Sequence, residues 1–102
     1  MRFGIVVTDI NQAGQAAALM KEALGRDWNV RCFLTEDGVN MLKDEAFVAA
    51  ARSERAHLSV CEHSVERYCP ELDLAALQDV VIVGGQYQDA ELVRNSDRVL
   101  VF

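Results

Sequence analysis

The stretch RFGIVVTDINQAGQAAALMKEALG, residues 2–25, decides the architecture, because two periodicities meet inside it. Arg2 to Thr8 is a short apolar run rich in β-branched residues, the composition of a buried strand. Past Asn11-Gln12 the apolar positions fall at Ala13, Ala16, Ala17, Met20, Ala23 and Leu24. That is the i, i+3, i+4, i+7 spacing of a helix with one buried face, and Gly25 is placed to close it. A strand that runs into a helix opens a crossover unit.

The alternation continues to the C-terminus. Trp28 to Leu34 places Trp28, Val30, Cys32 and Leu34 against Asn29, Arg31 and Phe33, a strand with one more strongly buried face that takes Cys32 into the core. Thr35-Glu36-Asp37-Gly38 is a turn cluster, and Val39, Leu42, Phe47, Val48 and Ala51 suit one or two helices ending near Arg55. Ala56 to Cys61 reads as a third strand, and Glu62 to Tyr68 as a short helix stopped by Pro70. Asp73 to Gln78 adds another turn or two. Asp79 to Val83 is a fully apolar fourth strand, broken by Gly84-Gly85, before a helix over Gln86 to Asn95 and a fifth strand over Arg98 to Phe102. The order βαβαβαβαβ forces crossover connections, so the expected fold is α/β, with a five-stranded, mainly parallel sheet and helices on both faces.

The 102 residues hold one proline, no repeat and an even spread of apolar positions, which gives one domain over 1–102 with one core. Its longest apolar runs, such as Val80-Val81-Ile82-Val83, fall far short of the roughly 20 residues that cross a bilayer, so no membrane partner is expected. The N-terminus enters a strand directly, leaving no room for a signal peptide, and a cytoplasmic location is the expectation. A net charge of −6 with no dense Lys/Arg cluster argues against nucleic acid as a partner. Three cysteines in that compartment read as reactive or buried thiols and not as a disulfide framework.

In open parallel sheets, ligands gather outside the carboxyl ends of the strands. Four loops should therefore share one edge: Thr8-Asp9-Ile10-Asn11, Thr35-Glu36-Asp37-Gly38, Cys61-Glu62-His63-Ser64 and Gly84-Gly85-Gln86-Tyr87. Cys61 is the one strong nucleophile among them. Unpaired N–H groups at a helix start stabilise a thiolate, while His63 and Arg67 favour the anion and Glu62 and Glu66 oppose it. The competing reading makes Cys61 a small buried residue at a strand end. Cys69, eight positions on, lies on the order of 12 Å away along a straight helix, beyond disulfide reach. Cys61, His63, Cys69 and His57 match no standard zinc spacing, so no metal is assigned. Gly84-Gly85 lacks the lysine or full glycine fingerprint of a phosphate loop. Asp9, Glu36 and Asp37 are better read as helix caps than as a carboxylate pair.

Four segments, Cys32-Phe33-Leu34-Thr35-Glu36-Asp37-Gly38-Val39, Leu58-Ser59-Val60-Cys61, Gly84-Gly85-Gln86 and Asp97-Arg98-Val99-Leu100-Val101-Phe102, together resemble the DsrE/DsrF/TusD-like family of sulfur-relay proteins in order and spacing. The resemblance implies a flavodoxin-like five-stranded sheet, assembly with itself or with related family subunits, and a cysteine that accepts sulfane sulfur as a persulfide. Carried over, only Cys61 takes the sulfur role, with sulfur donor and acceptor proteins as partners. The chain departs from the family pattern in its short connection between the second and third strands, in the charged run after Cys61, and in Cys69. Thiol exchange of this kind needs no cofactor. His63 would orient or protonate, and Gly84, Gly85, Gln86, Tyr87, Asp37 and Gly38 would line the substrate side.

Two other functions compete with sulfur transfer. One is a non-catalytic module whose exposed apolar surface builds an oligomer, as expected for so small a domain of 51% hydrophobic composition. The other is a small-ligand binder that uses the Gly84-Gly85 loop.

Overall fold

The β-branched runs form strands and the amphipathic segments form helices in a computed structural model that describes Met1–Phe102. In chain order the elements are β1 (Arg2–Val7), a 3-10 turn (Ile10–Gln12), α1 (Ala13–Gly25), β2 (Asn29–Leu34), a 3-10 segment (Glu36–Lys43) and α2 (Glu45–Ala51). They continue through β3 (Ala56–Cys61), α3 (Glu62–Tyr68), a 3-10 turn (Leu74–Leu77), β4 (Val81–Gly84), α4 (Gln86–Arg94) and β5 (Arg98–Val101). All strand pairs are parallel, in the order β4-β3-β2-β1-β5. The α/β layering is flavodoxin-like, as the family resemblance implied.

Two local readings change. Gly25 ends α1 without a left-handed turn, which falls instead to Asp27 at φ 62°. Aspartate is among the few side chains that tolerate that region. The segment expected to be α-helical from Val39 is 3-10 over Glu36–Lys43, entered through Glu36 at φ 51°. Gly38 explains the tight winding: a Cβ there would collide with the Val7 carbonyl oxygen, so the chain lies directly on β1. Asp44 then caps α2 by accepting hydrogen bonds from the amides of Ala46 and Phe47.

Alternation in the strands divides the core in two. Ile5, Val7, Val30, Cys32, Leu34, Leu58 and Val60 face Ala16, Met20 and Ala23 of α1, Phe47 and Ala51 of α2, and Val65 of α3. On the opposite face Val6 and Phe33 pack beneath Leu92 of α4, with Cys61 and Val99 at the margin. Phe33 is therefore as buried as Cys32, and β2 is covered on both sides where the sequence favoured one.

This division has a topological cause. From β1 to β4 the chain steps one strand at a time across the sheet, whereas α4 must return over β3, β2 and β1 to deliver β5 to the far edge. Reversing direction with right-handed crossovers moves α4 to the second face. The connection leaving β3 thus turns to one face and that leaving β4 to the other. That reversal opens a crevice at the carboxyl ends of β3 and β4, the place where open α/β sheets bind ligands.

Candidate functional site: the Cys61 cleft

Cys61 ends β3 and pairs in register with Gly84 at the end of β4, so the loops carrying the two residues start side by side and diverge. A cleft of about 250 Å³ opens there, lined by Thr35, Glu36, Cys61, His63, Ser64, Arg67, Tyr68 and Gln86. The four loops do converge on one edge. Asp37 Oδ1 accepts the Ile10 amide at 2.9 Å, tying the second loop to the first. The Glu36 amide donates to Ser64 Oγ at 2.9 Å, and Ser64 Oγ lies 3.2 Å from Thr35 Oγ1, tying the second loop to the third.

Ser64 is the hub of this edge. Its oxygen accepts the Glu36 amide, which leaves its own proton free for donation to Thr35 or to the Cys61 sulfur. Burial pushes the Cys61 thiol up. Donation from the Ser64 hydroxyl and amide, the His63 amide and the Thr35 hydroxyl outweighs burial, and the thiol lies below its ordinary pKa. The Cys61 side chain itself makes no capping hydrogen bond to α3. With seven residues, α3 has a modest macrodipole, and the individual donors carry the effect.

The wall opposite is braced. The Tyr68 hydroxyl donates to Glu36 Oε2 at 2.8 Å, which raises the Tyr68 pKa, and the Arg67 guanidinium lies 5.3 Å from the Tyr68 ring centroid. Asn40 Nδ2 donates to the carbonyls of Asp37 and Tyr68, joining the 3-10 segment to α3. The left-handed Glu36 is thus held by its amide, by its carboxylate and by the close approach of Gly38 to β1.

No protein-family model and no curated protein matches the chain.

The three cysteines are free and sit in three different environments. Cys32 is fully enclosed, and burial pushes its thiol up to about 12. Cys69 is also fully buried, just past α3, where burial raises its thiol while Lys43 pulls partly back, and its sulfur donates to Glu71 Oε1 at 3.7 Å. Only Cys61 combines partial exposure with a lowered pKa, which is the microenvironment of a nucleophilic thiol.

Of the substrate-side residues expected from sequence, Gln86 lines the cleft with His63, whereas Tyr87 points into solvent at 69% exposure. Asp37 is committed to the Ile10 amide, and Gly38 is buried against β1. Gly84 sits under α4, where a Cβ would press on the Gln88 side chain, and Gly85 caps that helix. Both glycines shape the crevice without lining it. Asp9 caps its own 3-10 turn through the Asn11 amide. No group of three or more His, Cys, Asp or Glu residues is placed to hold a metal ion, and His57 lies at the other end of β3 from Cys61. No helix is long and apolar enough to cross a membrane.

The sequence placed Thr35 and Ser64 in two of the four loops but gave no role to either, nor to Tyr68. A signal was present: a hydroxyl three positions after a residue that starts a helix has the reach of a capping partner.

Proposed function

We propose that this chain is a cytoplasmic carrier of sulfane sulfur related to the DsrE/DsrF/TusD-like sulfur-relay proteins, with Cys61 as the site of loading. The observation that carries the reading is the contrast among the cysteines: the thiol at the β3/β4 crevice is accessible and acidified by neighbouring donors, while the other two are buried and have raised pKa values.

Loading is a thiol exchange. The Cys61 thiolate attacks the terminal sulfur of a persulfide on the donor; a new S–S bond forms at Cys61 as the donor S–S bond breaks. The donor cysteine leaves as a thiolate and takes up the proton released when Cys61 ionised. No net oxidation occurs. Delivery to the acceptor is the same step reversed, with the acceptor thiolate attacking the outer sulfur. The Ser64 and Thr35 hydroxyls and the amides of His63 and Ser64 serve as donors to whichever sulfur bears the charge. The His63 side chain and Gln86 stand at the mouth where an incoming thiol arrives. The exchange itself requires no metal or cofactor.

A second reading, an assembling module, is favoured by the distribution of exposed apolar side chains. Ile82 of β4 and Val101 of β5 are exposed on the second face, and Tyr87 and Val93 are exposed on α4, the one helix that covers it. A copy of the chain or a related subunit seated there would cover them.

The discriminating experiment is intact-mass spectrometry of the native protein and of Cys61→Ser after incubation with a persulfide donor and gel filtration. A gain of about 32 Da, reversed by reductant and absent from the variant, is the expected result of sulfur exchange. A native protein that stays unloaded, or loading that persists without Cys61, would move the assembly reading to first place.

A further inference from the structure

At the end of the sheet remote from Cys61, the second face carries a different kind of surface. The register sets Gly4 beside Arg31 and Arg31 beside His57, and Arg2 beside Asn29 one step earlier. Paired residues of parallel strands share a face, so these polar side chains rise together from three adjacent strands. The carboxyl end of α4 adds Asn95 and Ser96, and the whole encloses a hollow of about 250 Å³ with Phe3 as its only apolar lining residue.

We propose that this hollow is a binding site for a small oxyanion of the phosphoryl class. In a chain with 16 acidic and 10 basic residues, two arginines and a histidine line one cavity into which no carboxylate intrudes. Asp97, next in sequence to Ser96, does not line it. It accepts the Arg2 amide at 2.9 Å and the Arg2 guanidinium at 3.0 Å. That pair consumes one N–H of Arg2 and leaves the rest of its fork for a ligand. Neither Arg31 nor His57 joins any of the six ion pairs of the molecule.

A second observation points to a missing partner. Ser96 Oγ is buried and makes no hydrogen bond, the one side-chain oxygen or nitrogen in the molecule in that condition. Buried hydroxyls are almost always paired, and an unpaired one costs stability. It lies over Gly4, where a Cβ would come within 2.7 Å of it and 2.8 Å of Leu92, so the glycine lets the end of α4 pack this closely on β1. Turned toward the hollow that Ser96 lines, its hydroxyl would donate to an oxyanion held by Arg31 and Arg2. Planar guanidinium forks match the paired oxygens of such a group. The volume is below the roughly 300–1,000 Å³ of pockets that enclose drug-sized ligands, which restricts the occupant to a free anion or the terminal group of a small ester. The site stands independently of the sulfur-carrier reading, because no residue is common to both.

Calorimetric titration of the full-length chain at low, matched ionic strength tests it, with inorganic phosphate in one arm, adenosine 5′-monophosphate in a second and chloride as the control. Saturable binding in either phosphate arm is expected, and the arm that binds more tightly tells a free anion from an ester. Arg31→Gln should weaken it by about tenfold or more, the loss of a charge-assisted pair of hydrogen bonds. His57→Gln, at an exposed position, should weaken it less. Lys21→Gln, an equal charge change on the outer side of α1, and Cys61→Ser should leave it intact. Heat no different from chloride, or equal affinity in Arg31→Gln and Lys21→Gln, would overturn the proposal.

Discussion

On its first face the sheet is covered by three helices and a 3-10 segment that together bury a cluster of 19 residues; on its second face, α4 alone stands over a cluster of three. Both faces belong to the same strands, and the side chains differ only by alternation. The first face is a closed core. The second is part core, around Val6, Phe33 and Leu92, and part surface, with the Cys61 cleft at one end, the arginine-lined hollow at the other and exposed Ile82 and Val101 on the two edge strands. Stability is concentrated on one side and the candidate sites lie toward the other, because a lone crossover helix cannot cover five strands.

The comparison is most exposed to packing mutants. Ile5→Ala, in the closed core, should cost about 4 kcal/mol in urea unfolding, and Leu92→Ala about 2–3 kcal/mol, because the region beneath α4 can relax toward solvent whereas the first face cannot. Both side chains are almost wholly buried, so equal losses would show that the two faces are equally rigid. Hydrogen-exchange protection of α4 should also be lost first in the native state, ahead of that of α1.

A smaller effect sharpens the chemical side of the comparison. Ser64→Ala removes the side chain that does most to lower the Cys61 thiol and should slow its alkylation several-fold at neutral pH, with the rate profile displaced to higher pH. Cys32 and Cys69 should stay unlabelled until the protein unfolds. The sign for stability follows from the same shift. A thiol whose folded pKa is depressed adds stability that is fully present above the unfolded pKa and is lost as pH falls through the folded one. The unfolding free energy of the wild type should therefore rise relative to that of Cys61→Ser as pH rises through that window. A constant difference would mean that the neighbouring donors do not act on the thiolate.

The smallest expected change concerns the edges. Ile82→Lys and Val101→Lys should alter unfolding free energy by no more than about 0.5 kcal/mol, since both side chains are more than half exposed. The same pair should return any oligomer seen in gel filtration to the monomer. An unchanged elution volume would leave the second face without a partner role.

What the sequence determined by itself is the alternation of elements and the place of Cys61, the candidate nucleophile, at the end of a strand. Strand runs such as Phe3 to Val7 and the apolar stripe from Ala13 to Leu24 are encoded by neighbours, and periods of two and 3.6 survive without tertiary context. Cys61 was legible for the same reason: it stands where a strand pattern gives way to a helical one. The 3-10 winding of Glu36–Lys43 was not legible, because its cause is the Val7 carbonyl, some thirty residues away. The Ser64 contacts with Thr35 and Glu36, the placing of Cys69 in the core, and the gathering of Arg2, Arg31, His57 and Ser96 around one hollow likewise depend on strand order. Strand order in turn depends on which way each crossover turns, a choice made by burial of whole faces and written in no single segment.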